Sequence, residues 1–368
     1  MRGHCFVNGV EKHVKCAYVG VNGKAQYIMK PPGVIKYGGN VEKLSYPESN
    51  LAATTIGNYA LFVSMAVDAY DRSLTRTSPT TLSLSEAKYY LAATTVGNHA
   101  LFGGGRIFND KVSSTVDAYD RSLVRTTATA LSKARDCLAA TTVGNYALFG
   151  GGLSSYNRDY THHSTVDAYD SSLTRTTATD LSTARCNLSS TAVGDYALFG
   201  GGSTIYDTNN TFSTVDAYDR SLTRTTATDL STARCNLAST AVGDYALFGG
   251  GYYDHLGNEF STVDAYDSSL TRTTATSLST ARSNLSATTV GNYALFGGGY
   301  NSDITKFRLS AVDAYDSSLT RTTATSLSAR RYDLAATTIG NYALFGGGYN
   351  GDDRSDVDAY ECTNSYIP

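Results

Sequence analysis

One pentapeptide governs what this chain can fold into. Val-Asp-Ala-Tyr-Asp begins at Val67, Val116, Val166, Val215, Val263 and Val312, and returns as Val357-Asp358-Ala359-Tyr360-Glu361. Successive copies lie 49, 50, 49, 48, 49 and 45 residues apart. Ala-Leu-Phe travels with it, starting at Ala60, Ala100, Ala147, Ala197, Ala246, Ala294 and Ala343, and in six copies it runs into three glycines. Self-similarity at a fixed period near 50 residues implies supersecondary units that bury their faces against one another. Seven such units occupy most of the 368 residues.

Each unit reads as four β-type segments. From Leu188, a run of small and β-branched residues reaches Val193, Gly194-Asp195 turns, and Tyr196-Ala197-Leu198-Phe199 follows. Gly200 to Gly202 open a polar loop, Ser213 to Tyr218 forms a third segment, Asp219-Arg220-Ser221 turns, and Leu222 to Leu230 is a Thr-rich fourth. Alternating β-formers and turn residues at this spacing predict antiparallel strands. Four of them per repeat, arranged radially, make a propeller blade. Abundant glycine (34) and tyrosine (28) agree with an all-β chain rich in turns.

The glycine run after the second strand, the Ala-Tyr-Asp closing the third and the Ala-Arg leading into the next first strand resemble the kelch family. The resemblance covers roughly residues 34 to 361 and implies an all-β, seven-bladed kelch-type β-propeller with four antiparallel strands per blade. The family's fourth-strand tryptophan is missing, and its place falls in Leu-Thr-Arg-Thr-Thr (Leu270 to Thr274 in one copy). Packing at the outer rim is therefore expected from Leu74, Leu123, Leu173, Leu222, Leu270 and Leu319. No room remains after Glu361 for a fourth strand, whereas Leu44 to Leu51 aligns with Leu278 to Leu285. Residues of about 34 to 46 should supply the missing strand of the last blade, closing the ring and removing an open edge.

The expected division is residues 1–33, an arm of β-hairpins ending in a Pro-Gly linker, and residues 34–368, the propeller. In the arm, Phe6-Val7-Asn8-Gly9-Val10 and Tyr18 to Lys24 each place Asn-Gly between β-formers, a tight-hairpin signal. These short Val-Asn-Gly segments resemble those on structural proteins of phages and prophages, which implies attachment to a particle or tail protein.

Identity between blades reflects identical neighbours, so Tyr119, Tyr169, Tyr218, Tyr266 and Tyr315 read as packing between blades. The segments after the glycines differ in every copy, and the first blade joins Phe62 to Val67 with no loop. Tyrosine, asparagine and small polar groups on loops over a rigid scaffold suit recognition. The candidate ligand-binding residues are Phe108, Tyr156, Tyr160, His162, Tyr206, Tyr252, Tyr253, His255, Tyr300, Phe307, Tyr349 and Asp352. On the same face, Lys88, Arg135, Arg185, Arg234, Arg282 and Arg331 recur once per link between blades, with Glu48 as the odd member. They are secondary anion-binding candidates, and the competing reading pairs each with an aspartate of the fold.

A formal net charge of −3 speaks against nucleic acid and anionic membranes as partners. No apolar run approaches the ~18 residues of a membrane span, and the start lacks a secretory signal. Cys186 and Cys235 share one register, 49 residues apart, so they read as small buried residues rather than disulfide halves. The six histidines show no zinc spacing and no carboxylate pair stands out as acid and base, so neither cofactor, metal nor catalysis is expected. The expected function is non-catalytic recognition of a cell-surface glycan or protein by a phage or prophage tail component, in the virion or the cytoplasm. An intracellular kelch scaffold that binds another protein is the alternative, and a sugar-modifying kelch enzyme the third reading.

Overall fold

The computed structural model describes residues 3–7, 10–14, 18–21, 24–27, 34–77, 83–107, 111–156, 159–204, 210–253, 258–302 and 307–363. They form seven four-stranded antiparallel sheets and three two-stranded ones. The first strands of blades one to seven are Ala52–Ile56, Ala92–Val96, Ala139–Val143, Ser189–Val193, Ala238–Val242, Ser286–Val290 and Ala335–Ile339. Each lies beside the next around the axis, and the last lies beside the first. Their Ala, Ser and Thr side chains are small enough for seven strands to converge. The result is a seven-bladed β-propeller, consistent with kelch-type architecture.

Burial follows the repeat. The second strand, such as Tyr196–Gly200, and the third, such as Val215–Tyr218, are buried on both faces, while the fourth, Arg224–Thr226, is largely exposed. Each apolar cluster straddles two blades: Leu101, Val116 and Ala118 of blade two meet Ala147, Phe149 and Tyr169 of blade three. The same composition recurs between blades seven and one, where Leu344 and Val357 meet Phe62 and Tyr70. The repeated tyrosines are fully buried and stand edge-on to the phenylalanine of their own blade, as in Phe199–Tyr218 at 5.7 Å and 87°. Such pairs add about 0.5–1.5 kcal/mol beyond area burial. The first glycine of each triplet leaves room for the neighbouring blade, since a Cβ on Gly150 would lie 2.8 Å from the Phe199 ring.

The outer-rim leucines are half-buried against these clusters, Leu123 on the one joining blades one and two and Leu173 on the next. All six sit in left-handed backbone, with φ between 61° and 64°. That conformation costs a non-glycine residue about 1–2 kcal/mol. The preceding aspartate offsets the cost: Asp219 Oδ1 accepts the N–H groups of Ser221 (2.8 Å) and Thr223 (3.0 Å).

The ring closes as expected. Val34–Asn40 pairs antiparallel with Val357–Thr363 as the outer strand of blade seven, with a bulge between Ala359 and Tyr360. Where other blades place a fourth-strand arginine on the third-strand aspartate, the closing strand places Tyr37, whose hydroxyl donates to Asp358 Oδ1 at 2.5 Å. Burial and that carboxylate push the Tyr37 phenol up to about 12. In the N-terminal segment, Gly3–Val7 pairs with Val10–Val14 and Tyr18–Val21 with Lys24–Tyr27. The Asn-Gly turns between these strands lie outside the described residues.

The six link cations are fully buried. Arg185 bonds Asp216 of blade four at 3.0 Å while its carbonyl accepts the Gly152 N–H of blade three at 2.9 Å. Arg135, Arg234, Arg282 and Arg331 pair with Asp167, Asp264, Asp313 and Asp358 at 2.6–2.9 Å, and Lys88 with Asp117 at 3.4 Å. This is the pairing alternative weighed for them, and it withdraws all six from contact with a ligand. Each of these aspartates except Asp358, which meets Tyr37, also holds a fourth-strand arginine, such as Arg224 on Asp216 at 2.9 Å.

Removing one partner of a buried pair leaves an uncompensated charge, which costs about 3–5 kcal/mol. Arg234→Met should therefore lower stability by about that amount. Arg220→Met, which breaks the exposed pair with Asp195, should cost less than about 1 kcal/mol. Denaturant midpoints of the two variants measure the contrast.

Candidate functional site

The loops between second and third strands open on the same face as the links between blades. Their first residue after the glycines bridges to the link: Arg106 to Tyr89, Leu153 to Asp136, Ser203 to Cys186, Tyr252 to Cys235, Tyr300 to Ser283 and Tyr349 to Tyr332. Inside these pairs lies a ring of single residues, Asn50, Tyr90, Cys137, Asn187, Asn236, Asn284 and Asp333. All have φ between 51° and 57°. The N–H of each donates to the carbonyl of the previous one at 3.0–3.1 Å, from Tyr90 on Asn50 round to Asn50 on Asp333. A closed cycle of seven main-chain hydrogen bonds therefore surrounds the axis. Asparagine and aspartate tolerate left-handed backbone better than most residues, which explains five of the seven. Together with the leucines that follow each of them, they line a cavity of about 220 Å³ at the mouth of the channel. Deeper in, the channel passes small residues and ends in threonines such as Thr55, Thr94 and Thr288.

Blades six and seven carry an aromatic arc beside this mouth. Tyr300 stacks on Phe307 (6.2 Å, 14°) and meets Tyr332 edge-on at 5.4 Å, Tyr332 meets Tyr349 at 5.6 Å, and the Arg308 guanidinium lies over the Tyr349 ring at 5.6 Å. Of the sequence-derived candidates, the fold thus unites Tyr300, Phe307 and Tyr349. Tyr252 and Tyr253 stand on the adjacent blade five, the first half-buried and the second exposed. Asp352 is exposed in the tight hairpin of blade seven. Tyr160 and His162 belong to a two-stranded ribbon on blade three, Leu153–Tyr156 with Asp159–His162, and so stand apart from the arc. Tyr156 lies on that ribbon by its backbone. Phe108, Tyr206 and His255 lie outside the described residues.

The reading from sequence missed Tyr332, Arg308, the Tyr89–Tyr90 pair (ring centroids 5.3 Å apart) and the whole axial ring. The signal was present. Ser49-Asn50, Tyr89-Tyr90, Asp136-Cys137 and Tyr332-Asp333 are unlike dipeptides held between a copied link and a copied leucine.

Charge at the mouth is uneven. Burial, with the Asp353 carboxylate nearby, pushes Asp333 up to about 7. Glu48 occupies the link position where other blades have a cation. Its Oε1 accepts the Ala66 N–H at 2.9 Å in the short blade-one hairpin, and burial pushes it up to about 8. Among the described residues no group of three His, Cys, Asp or Glu side chains is placed to hold a metal ion. Among the described residues no helix is long and apolar enough to cross a membrane.

No family model matches the chain, and no curated protein matches it. Among solved structures, one described as "Structure of YjhT" shares the fold with a TM-score of 0.60 and 11% sequence identity, over 74% of this chain and 93% of that chain. At that identity the likeness speaks for the fold alone.

Because Glu48 binds its proton more tightly when folded than at its ordinary value of 4.5, its contribution to stability is present in acid and is lost as pH rises through about 8. Glu48→Gln should leave stability unchanged in acid and raise it by on the order of 1–3 kcal/mol in alkali. Denaturation midpoints across that range check the sign.

Proposed function

We propose that this chain is a non-catalytic binding module that engages a protein partner through the loop face of the propeller. The observation that carries the reading is the contrast between a scaffold copied seven times and one face on which every copied loop differs. The blade aspartates and link cations are held in structural pairs, whereas large aromatics remain solvent-facing on that face: Tyr90 is 39% exposed, Tyr253 39% and Phe307 50%. Exposed aromatic anchors on a preordered surface suit partner binding, because they contribute contact area at low entropic cost. The arc of Tyr300, Phe307, Tyr332 and Tyr349 would form the centre of that surface, and the bare hairpin of blade one leaves room beside it.

The finer reading, a phage or prophage tail component that grips a cell-surface glycan and is tethered by residues 1–33, rests on the Val-Asn-Gly segments of the arm. One experiment separates the two classes of partner. The full chain and its Tyr253→Ser/Phe307→Ser variant are applied to a protein array and a glycan array, with melting temperature recorded for both. Protein binding that falls by about tenfold or more in the variant, at unchanged melting temperature, supports the proposal. Binding confined to glycans transfers the same face to the tail reading, and binding insensitive to the double change moves the interface elsewhere.

A further inference from the structure

The residues of the axial ring use their main-chain N–H and C=O groups on one another, so what the ring offers a ligand is its side chains. Four of them are carboxamides, which carry donors as well as acceptors, so the group that sets the ring apart is its one carboxyl. Asn236 donates its amide to Asn284 Oδ1, while its own Oδ1 is buried with no hydrogen-bond partner. Asp333 is the ring's single formal charge, and no described residue donates a hydrogen bond to its carboxyl. The charged group felt by that carboxyl is a second carboxylate, Asp353, and the phenols of Tyr90, Tyr252 and Tyr332 all lie within the field of Asp333. Beneath the ring the cavity is lined by leucines such as Leu51, Leu188 and Leu334.

We propose that this axial mouth is a site for a primary alkylammonium group, presented as a lysine side chain by the protein that docks on the loop face. An ammonium carries three donors and no acceptor, which suits the Asp333 carboxyl in the cavity wall, to which no described residue donates. Its positive charge relieves the repulsion between Asp333 and Asp353, which a neutral polyol would leave in place. The surrounding tyrosines and leucines suit an alkyl stem, and aromatic faces attract an ammonium. The lysine as source rests on the protein-partner reading, whereas the ammonium site does not.

The test titrates the full chain with Nα-acetyl-lysine methylamide, with the norleucine analogue (same stem, no ammonium) and with glucose, each followed by calorimetry. Saturable binding of the lysine amide is expected in mildly alkaline buffer, with none of the other two. Asp333→Asn should weaken it by about tenfold or more. That variant is conformationally safe, since asparagine already occupies the equivalent left-handed positions 50, 187, 236 and 284. Acidifying through the Asp333 range should also weaken binding by about tenfold, because the carboxyl becomes neutral. The Asp353 carboxyl lies near Asp333 and also near Glu48, burial holds the Cys137 thiol and the three phenols up, and Arg106 and Arg308 act on Tyr90 and Tyr332, so the Asp333→Asn variant must lose most of this pH dependence. No saturable binding, equal binding by the norleucine analogue or glucose, or full affinity in Asp333→Asn overturns the proposal. Lysine-amide binding with no protein partner on the array would overturn the partner reading alone, and the reverse result this site alone.

Discussion

The buried aspartate at the second position of each Val-Asp-Ala-Tyr-Asp is the interaction on which the ring depends. Asp216 takes the guanidinium of Arg185 on one oxygen and that of Arg224 on the other, and the Ser182 N–H and hydroxyl donate to it as well. Through the Arg185 carbonyl the same link holds the glycines of the preceding blade. Burying such charges is costly unless each is paired and hydrogen-bonded, and here one carboxylate receives donors from two arginines and a link serine. The pair fixes where a blade ends and the next begins, and the apolar clusters fill the space between.

Blade one shows what happens when one member of this set changes. With no loop after its second strand, the short hairpin leaves the Ala66 N–H directed at the link, and Glu48 accepts it where other blades hold a cation. Asp68 is then held by Arg76 and by the N–H and hydroxyl of Ser45. The same blade therefore lacks both the loop and the cation. Its sector of the mouth is open and carries carboxyl groups with raised proton affinity, Glu48 within it and Asp333 at its border.

Most of the scaffold was legible from residues alone, because seven near-copies give each position seven chances to declare its role. Packing tyrosines, the closing strand and the turn leucines all followed from period and alignment. The candidate site was legible only in part. Tyr300, Phe307 and Tyr349 stood out as aromatic loop residues, but Tyr332 lies in a link, 32 residues beyond Tyr300, and becomes its neighbour only when the blades close. Asp333 looked like one more polar residue of a turn. Its distinctness comes from six counterparts at the axis, none of them charged, and from Asp353 nearby.

The sequence by itself determined the number of blades, the strand order within each and the face that varies, since all three are read from a local period and from which copies differ. It also restricted the six link cations to two roles. Only the tertiary structure decided between those roles, and it did so through burial: every cation reaches an aspartate in the layer between blades and none reaches solvent. The cycle of seven hydrogen bonds around the axis was equally beyond the sequence. Each bond joins residues about one repeat apart, and its last link joins Asn50 to Asp333, so the cycle exists only once the ring has closed.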